Sequence, residues 1–174
     1  MKKYILSLAF LCSLTGFAQE TEEITLKQNE IKLNGLYLVL GAFEATYERL
    51  LNDESAAGVS LFVPFDADIN EEVNYYISPY YRFYFGNEYA KGFFLEGFGM
   101  LNSTNEYVYD FGSENSDKNS VTDFALGIGL GGKWLTKRGL LGEINFGIGR
   151  NLFNGSNSDN EFIGKLGITV GYRF

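Results

Sequence analysis

The chain of 174 residues contains no histidine, one cysteine and two prolines. Without histidine, no Ser-His or His-Asp constellation can be assembled, which removes the commonest general base. Cys12 has no partner for an intramolecular disulfide, and it lies in an N-terminal segment that reads as a signal, so neither a disulfide framework nor a thiol nucleophile is expected. Basic residues are few as well: 14 Lys and Arg against 22 Asp and Glu give a net charge of −8. A nucleic-acid partner needs a basic patch to neutralise phosphates, so none is expected. The longest apolar run, Tyr4 to about Leu14, falls short of the roughly 20 residues that a membrane-spanning helix requires.

That run does fit an export signal. Lys2 and Lys3 precede it, and Gly16-Phe17-Ala18 places small residues where a signal peptidase reads them. Residues 1–18 are therefore predicted to be a cleaved signal peptide, and the polar residues 19–29 a loose leader. Leu11 before Cys12 is too large for a lipoprotein signal. Cleavage after Ala18 removes no acid and two bases, leaving 12 basic against 22 acidic residues.

What the chain has in quantity is glycine, at 21 residues, and aromatic side chains, at 17%. With proline scarce and no helical stripe, this composition predicts an all-β protein. Turn signals divide residues 30–174 into eight strands, at about 30–40, 42–51, 56–65, 74–85, 92–109, 120–136, 139–153 and 161–174. The first hairpin has only Gly41 as a turn, so one bent strand there, giving seven in all, is the alternative. Short connections alternate with longer polar segments at 66–72, 112–120 and 154–160. Short turns on one rim and long loops on the other are the plan of an eight-stranded antiparallel up-and-down transmembrane barrel, with both termini on the short-turn rim.

The strands alternate in character with period two. One face collects Lys32, Glu44, Glu48, Arg82, Glu96, Asp123, Lys133, Glu143, Lys165 and Arg173, five acids and five bases, together with many glycines. The other face is apolar. A soluble lipocalin-like barrel would turn the apolar face inward around a ligand, and a membrane barrel would turn it outward. Three features favour the membrane. Water-facing glycines would weaken strands with no return, whereas inside a narrow barrel they leave room for long ionic side chains. Balanced charge suits a closed interior. The apolar face is also aromatic toward both ends: Phe43, Phe65, Tyr75, Tyr107 and Phe162 toward the long loops, and Tyr47, Phe83, Phe85, Phe93, Trp134, Tyr172 and Phe174 toward the short turns. Two such girdles are expected at the two interfaces with outer-membrane lipid.

The last strand ends on an aromatic residue. Lys165, Gly167, Val170, Tyr172 and Phe174 resemble the C-terminal signal by which outer-membrane barrels are passed to the barrel-assembly machinery. With this motif, the signal peptide and eight strands, the mature chain resembles small outer-membrane barrels of the OmpA/OmpX type. Through the TYERLL stretch of LGAFEATYERLLNDESAAGVSLFV, it is similar more narrowly to porin-like Gram-negative families. The resemblance implies a fold and an outer-membrane location, and supplies no activity.

Other motifs carry bland readings. Gly127 to Gly132 matches G-x-G-x-x-G, but a second strand follows it where a nucleotide site needs a helix. Asp66, Asp68, Glu71 and Glu72 could ligate Ca²⁺, or form a solvated acidic loop. Glu44 and Glu48 share a face, but equal numbers of bases make them ion-pair partners rather than an acid–base pair. No catalytic residue, cofactor or metal is expected. The reading is a non-enzymatic outer-membrane protein that acts structurally or through its polar loops on an unidentified extracellular partner.

Overall fold

The structure is a computed structural model that describes residues 27–86, 88–108, 117–153 and 161–174, without the side chains of residues 72, 106–108 and 117–119. The signal peptide, most of the leader and the 154–160 loop lie outside these residues, as does 112–116 of the 112–120 loop. Eight strands form one closed antiparallel barrel in chain order: β1 Asn29–Asn34, β2 Ala42–Leu50, β3 Ser55–Pro64, β4 Val73–Phe85, β5 Gly92–Val108, β6 Asp117–Leu135, β7 Leu140–Asn151 and β8 Phe162–Arg173. β1 closes the barrel on β8, from Glu30 opposite Arg173 to Asn34 opposite Thr169. The termini share this seam: Asn29 and Phe174 exchange backbone hydrogen bonds at 3.1 and 2.8 Å, on the short-turn rim.

Three segments depart from the sequence expectation. β1 stops at Asn34 rather than reaching residue 40, and Gly35–Leu40 forms a single helical turn, α1. Apolar alternation through LYLVL looked like strand, yet both ends carry helix punctuation. The Asn34 carboxamide accepts from the Leu36 and Tyr37 amides, and Gly41 terminates the turn in the left-handed region at φ 106°. Ala67–Glu72, expected as an irregular acidic loop, forms a second one-turn helix, α2, capped by Asp66. β6 also begins at Asp117 rather than 120, so β5 and β6 stay paired out to Val108 opposite Asp117. This hairpin is longer than any other in the barrel.

Pro79 sits inside β4, where a strand interior normally excludes proline because it lacks an amide hydrogen. Its neighbour repairs the ladder. The Ser78 hydroxyl donates to the Gly99 carbonyl at 2.9 Å, the acceptor that residue 79 would otherwise serve.

Candidate functional site

The charged face turns inward. Glu30, Lys32, Glu48, Arg82, Glu96, Lys133, Glu143, Lys165 and Arg173 are all buried in the lumen, where they form one connected network. Lys32 Nζ reaches Glu48 at 2.7 Å, Glu143 at 2.9 Å and Glu30 at 3.1 Å. Lys133 Nζ reaches Glu48 at 2.5 Å and Glu30 at 2.8 Å. The Arg82 guanidinium spans Glu96 (2.6 Å), Glu143 (2.7 Å) and Glu48 (3.0 Å), with its Cζ over the rings of Tyr80 and Phe94 at 4.5 and 4.2 Å from their centroids. Lys165 pairs with Glu96 at 2.6 Å, and Arg173 with Glu30 at 2.7 Å. Tyr80 and Tyr84 each donate a hydroxyl to Glu48, and Lys133 donates to Tyr84. Desolvating so many ions is tolerable only because each has opposite charge and hydrogen bonds within reach.

Two of the ten charged positions read from the sequence stand apart from this network. Among the described residues no cation pairs with Glu44, whose carboxylate accepts from Asn34 Nδ2 at 2.8 Å near the long-loop rim. Asp123 accepts from the Phe124 and Phe153 amides at 2.6 and 3.0 Å. Parity fixes which face a side chain occupies and leaves its height along the barrel open.

The sequence reading missed Glu30, a hub for Lys32, Lys133 and Arg173. It shares the parity of Lys32 but lies where leader and strand meet. The inward aromatics Phe62, Tyr76, Tyr80, Tyr84, Phe94 and Phe98 were missed too, although those of β4 and β5 share parity with Arg82 and Glu96. They correct the account of the glycines. A Cβ on Gly127 would lie 2.3 Å from the Phe98 ring, and one on Gly131 would lie 2.5 Å from the Phe94 ring. Gly58 likewise faces Tyr80 at 2.5 Å. These three glycines make room for rings, while Gly171 leaves space for the Lys32 stem, as first supposed of them all.

The lumen is consequently full. An apolar cluster of Phe62, Tyr76, Tyr80, Phe98 and Met100 fills its upper part, and Leu50, Tyr84, Ala90 and Phe94 pack toward the short turns. There the β4–β5 turn folds beneath the barrel. Arg173 donates to the Tyr89 and Ala90 carbonyls at 3.0 and 2.8 Å, and the Ala90 amide donates to Asp53 at 2.7 Å. Among the described residues, ionic and aromatic side chains occupy the space that a ligand-binding barrel keeps as an apolar cavity. Glu44 and Glu48, which share a face, do not act as a pair: Glu48 is held by three cations and two tyrosines, and Glu44 by Asn34.

The outer face is apolar around the barrel. Val59, Leu61, Val63, Leu95, Leu126, Ile128, Leu130, Ile144 and Ile148 are exposed across its middle, Ile128 at 72%. Phe43, Phe65, Tyr75 and Phe162 are exposed nearer the long-loop rim, and Tyr47, Phe83, Phe85, Phe93, Trp134, Tyr172 and Phe174 nearer the short turns. The Tyr107 side chain lies outside the described residues. Lys165 of the C-terminal motif points inward and pairs, while Val170, Tyr172 and Phe174 point outward. Among the described residues, no group of three or more acidic or thiol side chains converges to hold a metal.

No family model matches the chain, and no curated protein matches it. Among solved structures it is similar to the crystal structure of the N-terminal β-barrel domain of Pseudomonas aeruginosa OprF. Identity is 16%, the TM-score is 0.53, and the match covers 85% of this chain and 98% of that one. The chain has an OmpA-type barrel fold. At that identity the likeness carries the fold alone. An OmpA-type barrel of eight strands is just wide enough for its lumen to be filled by side chains, as the ions and rings fill this one.

Proposed function

We propose that this chain is an integral outer-membrane barrel of a Gram-negative bacterium, exported with residues 1–18 as a cleaved signal, and that its role is non-enzymatic. One observation carries the reading: large apolar side chains cover the outside of a closed barrel whose inside is ionic. In water the exposed surface would be far larger than a monomer sustains, and in lipid it is the expected solvent. The filled lumen favours a structural or surface-interaction role over a general pore. The polar, acidic segments 66–72, 112–120 and 154–160 would face the exterior and meet an unidentified partner. Lys165, Gly167, Val170, Tyr172 and Phe174 would serve the assembly machinery, and the aromatic bands would sit at the two interfaces.

The face assignment is tested with cysteines at neighbouring positions on a Cys12→Ser background. Ile128→Cys is expected to react with a membrane-dissolved maleimide, and Gly129→Cys to resist it. Ile128→Arg should cost about 2–4 kcal/mol near the bilayer midplane. Recovery of the mature protein from the periplasm without detergent would contradict the proposal outright.

A further inference from the structure

Four connections lie on the long-loop rim, and they differ in charge. Those after β3, β5 and β7 all contain acidic residues. The one after β1 does not: residues 33–43 read LNGLYLVLGAF, with no Asp, Glu, Lys or Arg. It is this uncharged connection that forms α1.

One side of α1 is committed to the barrel. Tyr37 turns into the lumen mouth, with its ring edge-on to Phe62 at 5.2 Å. With about 100° between successive residues, Val39 comes out on the far side from Tyr37, flanked by Leu38 and Leu40. All three are exposed, Val39 at 86%. The patch continues into the outer face of the barrel. Phe43 stands two residues beyond the Gly41 cap, and Phe65 is drawn alongside because its amide donates to the Gly41 carbonyl at 2.9 Å. A run of Leu38, Val39, Leu40, Phe43 and Phe65 is thus continuous with the surface assigned to lipid, and Asp66 of the neighbouring connection touches it only at its base, against Gly41.

From this geometry we infer that α1 is an interfacial anchor, bedded by Leu38–Leu40 at the boundary between headgroups and acyl chains of the outer leaflet. An apolar helix face buries itself some 5–10 Å deep at that boundary. The inference rests on the outer-membrane reading and adds a sector where barrel and lipid meet above the aromatic band. It leaves only the other three connections to reach into the medium.

The test uses the full chain with Cys12→Ser, refolded into phosphatidylcholine vesicles, with an environment-sensitive fluorophore on one cysteine at a time. Val39→Cys probes α1, Ile128→Cys the barrel middle and Asp68→Cys the exposed acidic connection. The Val39 label should be blue-shifted, shielded from aqueous iodide, and quenched several-fold more by a nitroxide near the headgroup than by one deep in the chains. The Ile128 label should show the opposite depth preference, and the Asp68 label should be quenched by iodide. Leu40→Cys repeats the probe if the Val39 variant does not refold. A Val39 label as open to iodide as that at Asp68, with Ile128 still in lipid, overturns the anchor alone. Iodide access at Ile128 as well overturns both the anchor and the membrane reading.

Discussion

Glu48 holds more of the lumen together than any other single carboxylate. Three cations and two tyrosine hydroxyls converge on it, and replacing it with alanine strands Lys32, Arg82 and Lys133 with fewer counter-charges in a dry interior. Breaking a buried pair in this way costs about 3–5 kcal/mol. Glu48→Ala should therefore lower the unfolding free energy of the refolded protein by that amount, read as a lower urea midpoint at unchanged slope. The exposed Glu88–Lys91 pair is the control: Glu88→Ala should stay within about 1 kcal/mol of wild type. A smaller group makes a sharper case. Ser78 is the donor that serves the Gly99 carbonyl beside Pro79. Ser78→Ala leaves that carbonyl unsatisfied in a wall where water is scarce, at a cost of about 1–3 kcal/mol. The same unfolding measurement reads it, and no change would mean that the carbonyl finds another donor.

Along a strand, the glycines divide by the face they occupy. Gly127 lies inward, against Phe98 and the Ile148 carbonyl, whereas a Cβ on the outward Gly97 would meet nothing within 4 Å. Gly127→Ala should overpack the lumen and cost about 1–3 kcal/mol. Gly97→Ala should be neutral or stabilise by up to about 1 kcal/mol through the unfolded chain. If the two alanines have equal effects, the rings do not need that space. The same division explains what was legible in the sequence. Turn signals marked out the eight strands, and period-two alternation separated Arg82, Glu96, Lys133 and Glu143 from Ile77, Leu95, Leu130 and Ile144, because a one-residue error would reverse every side chain. It could not say that Lys32 meets Glu143 while Glu44 meets Asn34, since those neighbours depend on how strands are staggered around a closed wall. α1 was hidden because its five apolar residues satisfy either period. Only the asparagine before it and the glycine after it carried the helix signal.

At the scale of the whole molecule, a closed barrel should migrate differently on a detergent gel before and after boiling, because every strand has two neighbours and no edge from which to unzip. Identical mobility would argue against closure. Phe174 tests how the barrel is put in place. It adds one ring to the outer surface and two backbone hydrogen bonds to the seam. Loss of an interfacial ring is worth at most about 1.5–3 kcal/mol, a penalty a finished barrel tolerates. Deletion of Phe174 should lower outer-membrane yield in cells while refolding into detergent persists, and Phe174→Tyr should do neither. Normal assembly of the deletion would reduce Phe174 to a surface ring with no part in assembly.

The lumen network draws on every strand except β3, with Glu30 and Lys32 from the first and Lys165 and Arg173 from the last. Arg82 and Glu96 pair within one hairpin, but the links of Glu30 to Lys133 and Arg173 and of Lys32 to Glu143 join residues far apart in the chain, and these meet only when the seam between β1 and β8 closes. Before that moment the charges must keep their hydration, and an open sheet on its way to the barrel is wet on the side that later becomes the core. Expulsion of water and closure of the seam are then a single step. A half-closed barrel has no dry resting state, and time spent incomplete is time spent with a hydrated interior whose pairs across the lumen are not yet made.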